Sequence, residues 1–204
     1  KKISLSKTNV ILSTGMANME EIEKALLVLQ KNGLKDHMII LLHCTSEYPA
    51  PMNEVNLKAM LKMKEYFNLK VGLSDHTVGN EVAIAAVALG AVIIEKHFTL
   101  DKKMNGPDHS SSLNPNELKI LIDKVKNISK ALGNGQKVPS KSEVGNIPVI
   151  RKSIVASKPI KIGEIFSDAN LEVKRPGNGI SPMLWEKLIG TKNKKNYKID
   201  DQIK

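Results

Sequence analysis

Four apolar runs, each closed by a polar cluster and followed by a stretch of helical periodicity, constrain this chain more than any other feature. The runs are VILSTGM (Val10 to Met16), MIILLHCTSEY (Met38 to Tyr48), KVGLSDHT (Lys70 to Thr77) and AVIIEKHFTL (Ala91 to Leu100). Their starts are about 20 to 30 residues apart, the spacing a parallel β-α-β connection needs. In α/β architectures, ligands bind at the carboxyl ends of such strands, where side chains from several strands converge. Ser, Thr, Asp, Glu, Lys and His recur at that end here, so an enzyme is the leading reading.

The intervening helices have readable punctuation. Asn18 and Glu21 stand at N-cap and N3 spacing, Ile22, Leu26 and Leu29 form one apolar face, and Gly33 supplies a stop. A second helix is expected from about Asn53 to Phe67, with Leu57, Met60 and Leu61 as its inner stripe, and an Ala-rich third from about Asn80 to Leu89. After the loop DKKMNGPDHSSS, Asn114, Pro115 and Glu117 open a longer helix whose apolar face is Leu118, Leu121, Ile122, Val125 and Ile128. Four such units make half of a (β/α)8 TIM barrel or part of a doubly wound sheet. No GxGxxG or GxxxxGK follows a strand, which favours the barrel, its first half missing.

The pattern changes after Gly133. The polar, Gly/Pro/Ser-containing stretch over 134–148 reads as a linker between the half-barrel (1–133) and a small loop-rich domain (149–204). That domain is near the lower size limit for folding alone. The formal charge of +10 invites a nucleic-acid partner, but only two of the 31 basic residues are arginine (Arg151 and Arg175) and the lysines are dispersed, as on a solvated surface. One cysteine, Cys44, excludes an internal disulfide framework and fits a reducing cytoplasm. No apolar run reaches the roughly 20 residues of a membrane span, and no signal-peptide pattern is seen. A chain opening at Lys1 directly before a strand reads as a fragment.

His76 and His97 occupy equivalent positions at the ends of neighbouring strands. Two imidazoles aimed into one mouth can share a divalent metal, with water or substrate completing the shell; two hydrogen-bonded core histidines are the other reading. Glu95, two residues before His97 and so on the same strand face, can act as acid or base or hold a hydroxyl. Pairing with Lys96 is its structural alternative. Ser13, Ser46 and Ser74 place small hydroxyls at three strand ends, able to bind a phosphate or carboxylate together, or to cap turns singly. Cys44 is a weak nucleophile candidate. Arg175, in the loop KRPGNG of a lysine-rich chain, points to a need for a planar, forked donor, or else is an exposed charge.

Taken in order, LSTGM, HCTSEYPAP, LSDHT, EKHFTLD, GPDHSSSLNP, RKSIVAS and KRPGNGISP resemble the sialic acid synthase family, over essentially the whole chain from Val10. The resemblance implies the second half of a TIM barrel followed by an antifreeze-like (SAF) domain. It implies condensation of phosphoenolpyruvate with an N-acetylmannosamine-type sugar in a domain-exchanged homodimer. His76 and His97 then correspond to ligands of Mn2+ or Mg2+, and Ser13, Ser74 and Ser46 (where many members have Asn) to phosphoenolpyruvate contacts. Tyr48, Glu95 and Asp108 correspond to positions holding the acceptor, and Arg175 to the arginine that reaches the partner's barrel. The family's phosphate-binding lysines belong to the first half, so this stretch alone is expected to be inactive. The acceptor stays open between the neuraminate, legionaminate and pseudaminate branches. Rival readings are another metal-dependent barrel enzyme, such as an aldolase or hydrolase, and a carbohydrate-binding module centred on the small domain.

Overall fold

Short runs of Val, Ile and Leu set the first unit, and the computed structural model, which describes Lys1–Lys204, shows how they assemble. One helical turn, α1 (Lys2–Leu5), precedes an alternation of strands and helices: β1 (Val10–Ser13), α2 (Met19–Lys31), β2 (Ile39–Cys44), α3 (Leu57–Phe67), β3 (Lys70–Asp75), α4 (Glu81–Ala88), β4 (Ile94–Lys96) and α5 (Pro115–Ala131). The strands pair in sequence order, all parallel. Ser13 aligns with Leu42 and Gly72, while Cys44 aligns with Ser74 and Glu95. In a parallel ladder aligned residues face the same way and successive residues face opposite ways. One face therefore carries Ser13, Cys44, Ser74 and Glu95. The other carries Leu12, Ile39, Leu41, Val71, Leu73 and Ile94, which pack against Ile22, Leu26 and Leu29 of α2 and Met60 and Met63 of α3. This is the partial barrel that the spacing predicts.

The Asn18–Glu21 capping box forms as expected, and α2 ends two residues before Gly33, with Asn32 as C-cap. Helix α3 starts later than the expected Asn53, because Met52–Glu54 forms a separate 3-10 turn and Asn56 adopts φ 48°. Its inner stripe consequently runs through Met60 and Met63, and Leu61 moves to the margin. The expected apolar face of α5 is covered only in part: Leu121 is buried, whereas Ile122 is 42% exposed. The reason is local. β4 is hydrogen-bonded on one side only, and a groove of about 450 Å³ runs between it and α5, lined by Ile94, Leu118 and Val125.

The second unit spans Gln136–Lys204. Two single-turn helices, α6 (Lys141–Val144) and α7 (Ile147–Ile150), fall within and just beyond the stretch read as a linker. β5 (Ser153–Ala156) and β6 (Leu171–Lys174) form an antiparallel ribbon, followed by α8 (Trp185–Leu188). Ile154, Ile160, Phe166, Leu171, Tyr197 and Ile203 form a core distinct from that of the barrel unit. No helix is long and apolar enough to cross a membrane.

Helix α5 opens with Pro115 at its first position and a reciprocal capping box, Asn114 Oδ1 accepting from the Glu117 amide while Glu117 accepts from the Asn114 amide. Lys102, then the Asn114 amide, hold the Glu117 carboxyl below its ordinary 4.5. A lowered folded value means the stabilisation is present at neutral pH and fades as pH falls through that value. Asn114→Ala should cost about 1 kcal/mol in urea denaturation. The melting-temperature gap between the parent protein and Glu117→Gln should be open at pH 7 and close on acidification below the ordinary glutamate range.

Candidate active site at the strand ends

β3 ends at Asp75 and the chain continues through His76 and Thr77, while β4 ends at Lys96 and continues through His97. Because Ser74 and Glu95 are in register, the imidazoles two residues further on leave the sheet on the same face. Their ring centroids are 5.3 Å apart. Tyr48, from the loop after β2, stacks against both, at 4.1 Å from His76 and 4.8 Å from His97. The amide of Ala50 donates to the His76 carbonyl at 2.9 Å, which ties that loop to the end of β3.

The orientation of His76 is set by its backbone surroundings. Its Nδ1 is 2.6 Å from the carbonyl oxygen of Thr45, which can only accept, so Nδ1 carries the proton. Nε2 is 3.1 Å from Ser74 Oγ, and that hydroxyl donates its only proton to Glu95 Oε1 at 2.6 Å. A bare Nε2 would face the lone pairs of an oxygen. An electron-pair acceptor at Nε2, such as a metal ion, would relieve that arrangement. His97 turns its Nδ1 towards Asp108, with Oδ2 at 3.8 Å. Two imidazoles binding one ion at about 2.1 Å through a ring nitrogen have centroids on the order of 5 Å apart. The residues present therefore fit a divalent cation. No three His, Cys, Asp or Glu side chains are arranged to hold one metal ion together, so two histidines would be its only His, Cys or carboxylate ligands.

Ser74, His76, Glu95, His97, Tyr48 and Asp108 thus form one cluster. Ser46 stands beside it: its Oγ occupies the space that a Cβ on Gly15 would take, so the β1 and β2 loops meet only because residue 15 has no side chain. Ser13 ends β1 on the same sheet face, exposed. Glu95 pairs with Ser74 and not with Lys96, whose ammonium goes to Asp75 on the opposite face. Burial pushes the Cys44 thiol up, despite the Thr14 and Gly15 amides that oppose the shift; it stays protonated and is a poor nucleophile. Burial, then the neighbouring Cys44, Asp108 and Glu95, also raise the Tyr48 phenol, which remains a neutral donor.

Arg175 belongs to the second unit, just after β6. Its Nε donates to the Ile150 carbonyl at 2.8 Å, fixing the guanidinium plane while the side chain stays exposed. The loop behind it is clamped. Ser153, fully buried, donates to the Pro176 carbonyl at 2.7 Å and accepts from the Gly179 amide at 2.8 Å. The Gly177 amide donates to the Pro148 carbonyl at 2.7 Å, and a Cβ at Gly177 would lie 2.5 Å from that of Arg151. The Thr45 carbonyl, the Asp75–Lys96 pair and the Ser153 clamp have no counterpart in the sequence reading. Backbone acceptors leave no sequence signal, but the period of two already places Asp75 and Lys96 across the sheet from the histidines.

Residues 1–137 match the sequence profile of the NeuB family, and 151–204 match that of the SAF domain. The chain is 60% identical to the N,N'-diacetyllegionaminic acid synthase of Campylobacter jejuni, over 100% of this chain and 61% of that protein. It is 40% identical to the pseudaminic acid synthase of the same species, over 99% of this chain and 58% of that one. Among solved structures, the N-acetylneuraminic acid synthetase of Leptospira borgpetersenii in complex with citrate superposes with a TM-score of 0.64 at 40% identity, covering 71% of this chain and 50% of that one. The chain thus spans about 60% of the length of the curated relatives it matches.

Removing the buried Ser153 hydroxyl leaves an amide and a carbonyl without this partner. Ser153→Ala in the full-length protein should cost about 1 to 3 kcal/mol in denaturation. It should also speed hydrogen exchange at the Gly179 amide more than at amides of β5.

Proposed function

We propose, for a chain that belongs to the NeuB family of nonulosonic acid synthases and ends in a SAF domain, that the full-length protein condenses phosphoenolpyruvate with an N-acetylated hexose. The observation that carries this reading is the convergence of Ser74, His76, Glu95, His97, Tyr48 and Asp108 at one strand-end mouth. A divalent cation on His76 and His97, Mn2+ or Mg2+, would supply Lewis-acid polarisation of the acceptor aldehyde.

This chain's own residues bind and orient around that point. The hydroxyls of Ser13, Ser46 and Ser74 hold phosphoenolpyruvate. Tyr48, kept neutral, donates to the acceptor, and Asp108 and Glu95 accept from its hydroxyls. C3 of phosphoenolpyruvate attacks the aldehyde carbon, and water adds at C2. Phosphate then leaves with cleavage of its C2–O bond. Glu95, charge-assisted through the Ser74 hydroxyl at 2.6 Å, is placed to take the proton of that water. Arg175 offers its two terminal nitrogens to the acceptor's acetamido carbonyl and hydroxyls, since its Nε is committed to Ile150.

Among acceptors, we assign the di-N-acetylated trideoxyhexose of the legionaminate branch. The support is 60% identity to a legionaminic acid synthase against 40% to a pseudaminic acid synthase. The full-length protein, assayed with phosphoenolpyruvate and each candidate sugar, should turn over the legionaminate precursor with kcat/KM at least about tenfold above N-acetylmannosamine and the pseudaminate precursor. Preference for either of the others overturns the assignment. Residues 1–204 alone should give no product, because β1 and β4 each have one unpaired edge and close only part of a mouth. Arg175 is proposed to act across a homodimer. Arg175→Lys should raise KM for the sugar far more than KM for phosphoenolpyruvate. Mixed dimers of Arg175→Ala and His97→Ala subunits should recover activity that neither parent has; heterodimers that form without recovery would place the arginine within its own subunit.

A further inference from the structure

The most deeply buried ion pair in the barrel unit lies directly across the sheet from the two histidines. Lys96 Nζ donates to Asp75 Oδ2 at 2.8 Å, with side-chain exposures of 4% and 0%. The same ammonium donates to the Thr77 carbonyl at 2.7 Å. Asp75 Oδ1 accepts from the Thr77 amide at 2.9 Å and from its hydroxyl at 2.7 Å. Every bond of this network spans or flanks a histidine. The Asp75–Thr77 bonds enclose the His76 peptide, and the Lys96–Thr77 bond joins the residue after His76 to the residue before His97.

Such a pair is poor value as a stabiliser, because desolvating both charges offsets most of their attraction, and apolar side chains of similar volume often do as well. Its position supplies a better reason. β4 has three residues, is paired on one side only, and its last registered pair is Asp75 with Lys96. His97 lies one residue beyond that pair; its carbonyl accepts from the Leu113 amide at 2.9 Å on the far side, and no ladder bond joins it to β3. We propose that the Asp75–Lys96 pair is a positioning device: it ties the end of β3 directly to the end of β4 and so sets the separation of His76 and His97. The inference rests on the reading of these histidines as a cation site, and it concerns two residues that touch neither cation nor substrate.

The test uses the full-length protein and Mn2+ as probe, with binding read by electron paramagnetic resonance of the free ion. Asp75→Leu combined with Lys96→Met removes both charges while keeping bulk, so its melting temperature should stay within a few degrees of the parent. Its dissociation constant for Mn2+ should rise about tenfold or more, the scale seen when the supports of metal ligands are removed. Lys96→Arg, which keeps charge and donors, should restore binding to within about threefold of the parent. Unchanged Mn2+ affinity in the double variant overturns the proposal. If that variant does not fold, Lys96→Gln, which keeps a neutral donor, carries the same readout. A crystal structure of the folded variant separates this inference from the metal reading. Should the parent bind no Mn2+ at His76 and His97, the cation site falls, but the ring separation still decides: 5.3 Å retained refutes positioning, and displacement upholds it.

Discussion

A parallel ladder in register brings the carboxyl ends of its strands to one edge, and the chemistry of this chain depends on that constraint. Ser74 and Glu95 are not neighbours in sequence, yet pairing of β3 with β4 puts them opposite one another, 2.6 Å apart between oxygens. The same pairing carries His76 and His97 out on one face, and the β2 loop brings Tyr48 onto both rings. The strand-borne part of this cluster follows from the ladder. It needs register, and register is fixed below by Leu41, Val71 and Leu73 locked against α2 and α3.

The two sheet faces divide polar groups by purpose. On the mouth side Ser74 is buried, but the other hydroxyls, the carboxylates and the imidazoles are at least partly exposed, where water or ligand can complete their bonding. On the helix side the only buried ion pair is Asp75–Lys96, and its partners are internal: two bonds from Thr77 to Asp75, one from Lys96 to Asp75 and one from Lys96 to the Thr77 carbonyl. A buried charge with internal partners resists movement, because displacing one member leaves the other uncompensated. A partly exposed one can exchange partners as substrate arrives. Adjacent positions along a strand can have such different roles because a strand turns alternate residues to opposite sides.

Much of this was legible in the residues. The βα alternation, the caps at Asn18 and Asn114 and the approach of the His76 and His97 rings follow from apolar period, capping chemistry and strand alternation. The start of α3 was not legible, because Asn53 and Asn56 are both acceptable caps and only tertiary packing places the 3-10 turn between them. The exposed part of the α5 face was hidden for a similar reason: a periodic apolar stripe records what a helix can cover, not whether a strand lies beneath it. Within the site, Glu95 had two open partners, Lys96 and a mouth residue. Alternation favoured the mouth, and Ser74 is where it went.

Each unit orients one nitrogen-bearing side chain by the same means, a main-chain carbonyl bound to a single ring or guanidinium nitrogen. Thr45 holds His76 Nδ1, and Ile150 holds Arg175 Nε. A carbonyl is a fixed acceptor whose placement comes from the backbone path, so it survives substitution of the residue that owns it. Side-chain supports are more exposed to change, and the Ser153 clamp and the Gly177 close approach are the two that keep the Arg175 loop on that path. On the role proposed for Arg175, the same arrangement would make lysine a poor replacement at 175 in a chain otherwise rich in it. An ammonium bonded to Ile150 would have no separate, planar pair of donors left to present, whereas a guanidinium spends one edge on the backbone and keeps its outer fork for a ligand.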